Sequence, residues 1–314
     1  MPNTLYKWVV RDGSQAVPIG YLLPVVVRRL METSASFAGR IQIDHHSRTM
    51  TVVSGGSAAD VGECIAEIVQ CWRKQRVFSI LETSTREPWP VYKNADDLVC
   101  TIERSAAGLF GVNRYGVHLT GYVRCPNAKY GLKIWVPTRS ASKSTFPGML
   151  DNTVAGGLVT GEDPLECVIR EADEEASLPQ SFVRSSAKAV GTITYVYITD
   201  RRAGGESGLI YPECQWIYDL EMPAEIIPRP NDGEVESFDL CTVEEIQEQL
   251  SKGRFKPNCA LVMVDFFIRH GILTTAEEPN LEEICQHIHR ELPFPGPHEK
   301  EKVTSQRSEC SIFP

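Results

Sequence analysis

Three glutamates stand within one short stretch, GGLVTGEDPLECVIREADEEASL at residues 156–178. Glu171, Glu174 and Glu175 are related by steps of three and four residues, so a helix places them on one face, which we expect to be exposed. Like charges at this spacing cost about 0.2–0.5 kcal/mol, and near a helix C-terminus the helix dipole also opposes them. Arg170 compensates them only in part. The pattern predicts a divalent cation, Mg²⁺ or Mn²⁺, because hard oxygen ligands suit both.

The element that must position these side chains is a helix over residues 164–176. Asp163 is a good cap residue, and Pro164 fits the first helical position. An apolar stripe at helical spacing must face a core; it consists of Leu165, Val168, Ile169, Ala172 and Ala176. A solvated surface helix with a salt bridge from Arg170 to Glu174 is the alternative interpretation of the same residues.

The spacing of this stretch resembles the Nudix box, the signature of hydrolases that cut diphosphates linked to a second group. It runs from Gly156 through Glu162 to Arg-Glu-Ala-x-Glu-Glu at residues 170–175. The resemblance implies hydrolysis assisted by Mg²⁺ or Mn²⁺, with the ions clamping the diphosphate and activating a water. It implies metal ligands at Glu171, Glu174, Glu175 and the carbonyl of Ala155, a holding role for Arg170, and close approach of phosphates and metals to Gly156 and Gly157.

One position departs from the box, which usually ends with glycine before an apolar residue. Ser177 stands there, before Leu178. Glycine relieves the turn that leaves a helix, so the departure puts the exit geometry in question and leaves the ligands untouched.

Further candidates lie outside the box. A last carboxylate often completes such sites as ligand or general base, and Glu234 is the first candidate, ahead of Glu236; ordinary surface acids after a turn are the alternative. Arg139 and Lys143, in the polar stretch TRSASK, are candidates for binding the substrate phosphates. Trp135, Tyr195 and Tyr197 are candidates for stacking on a ring by cation–π attraction, or else belong to the strand core.

Several longer stretches resemble one fungal and plant Nudix subgroup, which is related to the Nudix part of thiamine pyrophosphokinases. They are GLFGVNRYGVHLTGYV, WVPTRSASKSTFPGMLDNTVAGG, DGEVESF and FKPNCALVMVDFFIRHG. The resemblance implies an α/β (α+β) Nudix fold, a mixed sheet between helices preceded by a small family-specific α/β domain. It implies hydrolysis of thiamine diphosphate, and especially its damaged oxo and oxy derivatives, to the monophosphate and phosphate. The alternatives are another substrate such as ADP-ribose, a Nudix-fold isomerase, or a non-catalytic binding protein.

The domain organisation follows from changes in composition and periodicity along the chain. We predict an N-terminal domain at 1–112, containing a helix over 57–76, and a Nudix domain at 113–275. A C-terminal helix and flexible tail follow at 276–314, because the Pro-rich and then charged run from residue 293 holds little apolar content.

Composition limits the partners. The net charge of −9 argues against tracking a nucleic-acid backbone, and no apolar run is long enough to cross a membrane. The start of the chain lacks a secretory or transit signal. We therefore expect a cytoplasmic enzyme that binds a small diphosphate substrate, with a homodimer as one candidate assembly.

Overall fold

The computed structural model describes residues 4–33, 39–53, 58–82 and 86–300. The first part of the chain folds into a four-stranded sheet with strand order β2-β1-β4-β3, a separate β5-β6 hairpin and three helices. These elements are β1 (Tyr6–Asp12), β2 (Gln15–Leu22), α1 (Pro24–Thr33), β3 (Ile41–Asp44), β4 (Thr49–Val52), α2 (Ala58–Lys74), β5 (Pro88–Tyr92), β6 (Leu98–Glu103) and α3 (Arg104–Phe110).

The second part builds a six-stranded mixed sheet with the order β10-β11-β7-β8-β12, and β9 pairs with β7. Its pairings are antiparallel except for β7 with β11, which is parallel. The elements are β7 (Arg114–Arg124), β8 (Leu132–Arg139), β9 (Val154–Gly157), α4 (Pro164–Ala176), α5 (Gln180–Ser186), β10 (Lys188–Ile198), β11 (Ile210–Glu221), β12 (Val235–Thr242), α6 (Val243–Ser251), α7 (Pro257–Arg269) and α8 (Leu281–Ile288).

Helices cover both faces of this sheet. The apolar stripe of α4 packs on one face, against alternate residues of β7 and β11 such as Val117 and Cys214. On the other face, α7 and α8 pack against Ile193 and Ile217, and α6 packs with α7 on β8. The alternation of side chains along each strand supplies both apolar faces. The prediction of a mixed sheet between helices is confirmed.

The N-terminal core continues into the second part of the chain. It surrounds Trp8 and Trp72, which are fully buried, and it also takes in Leu209 and Tyr211 from β11 and the turn before it. The loop between β10 and β11 adds polar contacts, since Glu206 accepts hydrogen bonds from the backbone N–H groups of Ser79 and Ile80. The boundary predicted at residue 112 stays a prediction, and the two parts share one apolar core.

The predicted helices lie close to their expected positions. α4 has the predicted bounds, and α2 covers residues 58–74 of the predicted 57–76, while Ser57 lies outside the described residues. The period of LEEICQHIHREL at residues 281–292 predicts a helix over that whole stretch, but α8 ends at Ile288. The chain leaves the helix there because the backbone N–H of Arg290 bonds to the carbonyl of Thr194 on β10.

The prediction of a flexible tail from residue 293 is wrong for residues 293–300. Phe294 is buried and its ring lies 4.6 Å from that of Tyr21. The side-chain amide of Asn113 donates to the Phe294 carbonyl at 2.8 Å. His298 is buried beside the ring of Tyr115. A few well-placed apolar and polar contacts hold this segment despite its low apolar content; residues 301–314 lie outside the described part.

Ser177 resolves the question raised by the missing box glycine. It ends α4 in the left-handed conformation, with φ 53° and ψ 32°. Its backbone N–H bonds to the carbonyl of Asp173, and that of Leu178 bonds to the carbonyl of Ala172. The turn keeps its hydrogen bonds, and serine holds it at a conformational cost that glycine would not have.

We therefore predict that Ser177→Gly stabilises the protein by about 0.5–1 kcal/mol, since the left-handed conformation disfavours residues with a Cβ. Urea unfolding followed by circular dichroism measures the change. Ser177→Ala is the matched control, because it keeps the Cβ and should bring no gain. A Gly variant no more stable than the Ala variant contradicts the prediction.

Candidate active site

Helix α4 is fixed at both its start and its inner face. The Asp163 carboxylate caps it by accepting hydrogen bonds from the N–H groups of Leu165 at 2.9 Å and Glu166 at 3.4 Å. Its buried stripe, which includes Val168 and Ala172, packs on the central sheet. These two constraints set the rotation of the helix, and so direct its later glutamates toward β9.

The three glutamates occupy different environments, so the expectation of one exposed face is wrong. Glu175 is buried, and it accepts a hydrogen bond from the backbone N–H of Ala155 at 3.1 Å. The side chain of Glu171 is 15% exposed, whereas that of Glu174 is 51% exposed. The helix turns two of the carboxylates into the body of the protein beside β9.

Arg170 joins the carboxylates of the box. Its guanidinium lies 2.8 Å from Glu162, 2.9 Å from Glu171 and 3.0 Å from Glu174. The sequence suggests that it holds one carboxylate, and the structure shows three. With these partners its charge is fully engaged, and it fixes Glu171 and Glu174 relative to each other.

Gly156 lies directly against Glu171. A Cβ at this position would stand 2.2 Å from Glu171 Cγ and 2.4 Å from its Oε1. At Gly157, a Cβ would stand 3.0 Å from the indole of Trp89. The first glycine therefore makes room for the glutamate side chain, and the second makes room for a residue of the N-terminal part.

The two inner carboxyls bind protons unusually tightly. Burial raises the pKa of Glu171 to about 7, with Arg170 opposing the shift and the charges of Glu174 and Glu234 adding to it. Burial also raises the pKa of Glu175 well above its usual range, and Glu171 contributes by like-charge repulsion. Two neighbouring carboxyls that repel each other fit a divalent cation, which would displace the protons. The oxygens of Glu171, Glu174 and Glu175 do not all lie within 4.8 Å of one another in this structure.

A second group of potential ligands lies deeper in the protein. Among the described residues, only His118, Asp151 and Cys259 offer three ligand atoms within 4.8 Å of one another. Asp151 is already paired with Arg139 at 2.7 Å and accepts from the thiol of Cys259 at 2.6 Å. Burial and the charge of Asp151 raise the pKa of Cys259, so the thiol keeps its proton. This cluster is a hydrogen-bonded ion pair, and a cation there would stand beside a guanidinium.

Arg139 does not lie on a loop facing the site. It ends β8 and is buried. Besides Asp151, its guanidinium donates to the carbonyls of Phe146 at 3.1 Å and Thr145 at 2.9 Å. Each of its three nitrogens has a partner, and Arg139 does not line the cavity described below, so it shapes the 140–148 turn and does not face a phosphate there.

Lys143 and Glu234 face each other at the edge of a cavity. They form an ion pair, and both line the cavity together with Ala155, Gly156 and Gly157. The structure therefore brings these five predicted residues to one place. Glu236 is exposed and does not line this cavity, which favours Glu234 of the two candidates.

The cavity measures about 670 Å³ and extends away from the glycines between the two parts of the chain. That volume is in the range that holds a small organic molecule. The second part supplies Tyr195 and Tyr197, so these tyrosines face the cavity. The N-terminal part supplies Glu87, Trp89 and Arg104, none of which the sequence analysis selected. These residues carry no spacing signal, because a β-hairpin far along the chain from the box brings them there.

The chain is similar to known proteins over much of its length. A model of the NUDIX domain matches residues 123–260. The chain is 40% identical over 300 residues to the uncharacterised protein YJR142W of Saccharomyces cerevisiae, covering 93% of this chain and 85% of that protein. It is 40% identical to the chloroplastic Nudix hydrolase 20 of Arabidopsis thaliana, covering 55% of this chain and 44% of that one. It is 30% identical to an uncharacterised Nudix hydrolase of Nostoc sp., covering 34% of this chain and 67% of that one.

The raised pKa of Glu171 and of Glu175 predicts how pH acts on the protein without metal. Unfolded glutamates titrate near ~4.3, so the folded state binds more protons from there up to about pH 7, and stability falls as pH rises through that window. Mg²⁺ binds the deprotonated carboxylates, so it should raise the Tm more at about pH 7.5 than at about pH 5.5.

Scanning calorimetry with and without Mg²⁺ at the two pH values measures this difference. Glu171→Gln is the control, and it should reduce both the pH slope and the Mg²⁺ effect. A Mg²⁺-induced shift of equal size at both pH values contradicts the prediction.

Proposed function

The chain belongs to the Nudix hydrolase family, and we propose that it is a divalent-metal-dependent diphosphatase of thiamine diphosphate. Its preferred substrates in this proposal are the damaged oxo and oxy derivatives, which it cuts to the monophosphate and phosphate. The observation that carries the reaction type is the pair of proton-binding carboxyls, Glu171 and Glu175, which lie against Gly156 and the Ala155 N–H group, two residues that line the cavity. The substrate rests on the subgroup resemblance of the longer stretches.

The residues proposed to hold the metal, Mg²⁺ or Mn²⁺, are Glu171, Glu174, Glu175 and the carbonyl of Ala155. When bound, such an ion neutralises charge on the phosphates and lowers the pKa of a bound water. Arg170 fixes the ligand carboxylates by its bonds to Glu171 and Glu174.

Other residues of the chain orient the substrate and move the proton in this proposal. Lys143 binds a phosphate oxygen once substrate draws it from its ion pair with Glu234. The carboxylate of Glu234 then accepts a proton from the attacking water. Gly156 and Gly157 line the cavity beside the diphosphate with backbone atoms only, since neither carries a side chain. Arg139 is left out of the proposal, because it is buried, pairs with Asp151 and does not line the cavity.

Where the protein works in the cell is part of the proposal too. No helix among the described residues is long and apolar enough to cross a membrane. We keep the cytoplasm as the proposed location and a small diphosphate as the proposed partner. The homodimer stays a prediction.

Glu174→Gln tests the reaction type. We expect it to lower metal-dependent phosphate release by at least about 100-fold, since metal stabilisation of the transition state is worth several kcal/mol. The free energy of unfolding should change by less than about 1 kcal/mol, because an exposed salt bridge contributes little. Phosphate release and urea unfolding measure the two effects.

Glu166→Gln is a closely matched control, because Glu166 lies on the same helix, its side chain is 52% exposed, and it also pairs with an arginine. It should keep full activity. Turnover that survives Glu174→Gln at the wild-type rate would show that the box is not the active site.

A substrate panel tests the proposed specificity. We expect the highest kcat/KM for the oxo and oxy forms of thiamine diphosphate, then thiamine diphosphate, and lower values for ADP-ribose and nucleoside diphosphates, each with Mg²⁺ or Mn²⁺. Phosphate and monophosphate products identify the bond that is cut. A preference for ADP-ribose would overturn the thiamine assignment and leave the reaction type standing. Isomerisation of isopentenyl diphosphate would instead show that the chain is the alternative Nudix-fold isomerase and not a hydrolase.

A further inference from the structure

The floor of the cavity carries a row of polar side chains across three strands. In the sheet register Arg114 on β7 lies opposite Glu213 on β11, and Glu213 lies opposite Tyr195 on β10. Arg114 meets the Glu213 carboxylate at 3.1 Å, and the Tyr195 hydroxyl donates to it at 2.5 Å. We call Arg114, Glu213 and Tyr195 the polar row.

The polar row is costly for a structural role. Glu213 and Tyr195 are each only 8% exposed, so the charge of Glu213 has left water. Apolar residues in place of a buried ion pair are often as stable or more stable. A buried ion pair is therefore weak evidence for stability, and this one lines a cavity. That position favours a role in binding.

Gln215 extends the row toward the glycines of the box. Its amide nitrogen donates to Glu213 at 3.0 Å and to the Tyr195 hydroxyl at 3.3 Å. The amide oxygen lies over Gly116, where a Cβ would stand 2.4 Å from that oxygen and 2.7 Å from the carbonyl oxygen of Gly156. Gly116 thus allows the amide to lie across the floor, next to the position proposed for the diphosphate.

The amide oxygen of Gln215 is an open acceptor. No donor among the described residues bonds to this oxygen, and it is not one of the fully buried atoms that lack a partner. Since Gln215 also lines the cavity, the oxygen is open to a ligand. An amide held by its nitrogen and accessible at its oxygen suits an N–H group of a ligand.

The N-terminal part holds Arg114 in place. The guanidinium of Arg114 lies between two aromatic rings, 4.5 Å from the centre of Trp89 and 4.1 Å from the centre of Tyr211. Arg104 lies 5.4 Å from the centre of Trp89. Stacking of this kind restrains an arginine while leaving its donor edge for hydrogen bonds. Trp89 is therefore a positioning residue for the polar row.

Charge balance in the cavity points to an uncharged or weakly charged group. Three of the four lining cations have an acidic partner of their own: Arg104 with Glu87, Arg114 with Glu213, and Lys143 with Glu234. Lys256 shares Asp151 with Arg139. The remaining lining is rich in aromatic rings. Beside Arg104 and Arg114, a second anionic group of the ligand would meet no uncompensated cation. A flat ring would bury its faces there against the aromatic side chains.

We propose that the polar row and Gln215 bind a flat nitrogen heterocycle by its hydrogen-bonding edge and so select the organic group of the substrate. This inference rests on the proposed function, because it takes the diphosphate to lie beside Gly156. The ring then lies over Gly116, with an N–H group on the Gln215 oxygen.

Calorimetric titration with two monophosphates tests the proposal without metal or turnover. Thiamine monophosphate and AMP share the chemistry of a heterocycle plus one phosphate, and they separate the two sources of the ring. We expect the wild-type chain to bind at least one of them, and Glu213→Gln and Gln215→Met each to weaken that binding at least tenfold. Gln215→Met keeps the side-chain length and removes only the polar edge.

Asp219→Asn is the matched control, since Asp219 is a buried acid on the same strand that pairs with Arg269 at 2.6 Å outside the cavity. Its Kd should stay within twofold of the wild-type value. Wild-type binding of neither monophosphate, or Kd values for both cavity variants within twofold of wild type, would overturn the proposal. Loss of phosphate release bears only on the proposed function, because the titration involves no hydrolysis.

Discussion

Burial of two carboxyls beside a glycine is the constraint on which the rest of this structure depends. Glu171 and Glu175 lie where water solvates them poorly, and repulsion between them adds to that cost. They stay there because α4 cannot rotate: its cap and its apolar stripe fix it on the sheet. Arg170 offsets part of the charge, and Gly156 provides the space. The folded protein loses some stability here because it holds two proposed metal ligands in a poorly solvated position, a common feature of active sites.

The two parts of the chain line one cavity together. The apolar core of the N-terminal part includes Tyr211 of β11, and Trp89 supplies a wall of the cavity. The segment after α8 reinforces the junction, since Phe294 contacts Tyr21 from one part and accepts a hydrogen bond from Asn113 at the start of the other. The shape of the cavity therefore depends on elements on both sides of the predicted boundary.

Local signals predicted α4 well, and long-range contacts account for what the sequence missed. Asp163, Pro164 and the apolar stripe place α4 correctly because caps and periodicity are local properties. The burial of Glu175 depends on how α4 meets β9, and the pairing of Arg139 with Asp151 depends on how the strand ends meet. Trp89 reaches the cavity through a hairpin whose position follows from packing. None of these contacts has a signature in the spacing of residues.

The parallel pairing of β7 with β11 also bears on how the protein is made. Arg114 pairs with Glu213 only after the intervening chain, including the whole box, has been synthesised. Closing so long a loop is slow. Until then the N-terminal part lacks Leu209 and Tyr211, and its apolar surface stays open to other nascent chains. Most of the chain must therefore leave the ribosome before either part can finish folding, so the two parts complete their folding together.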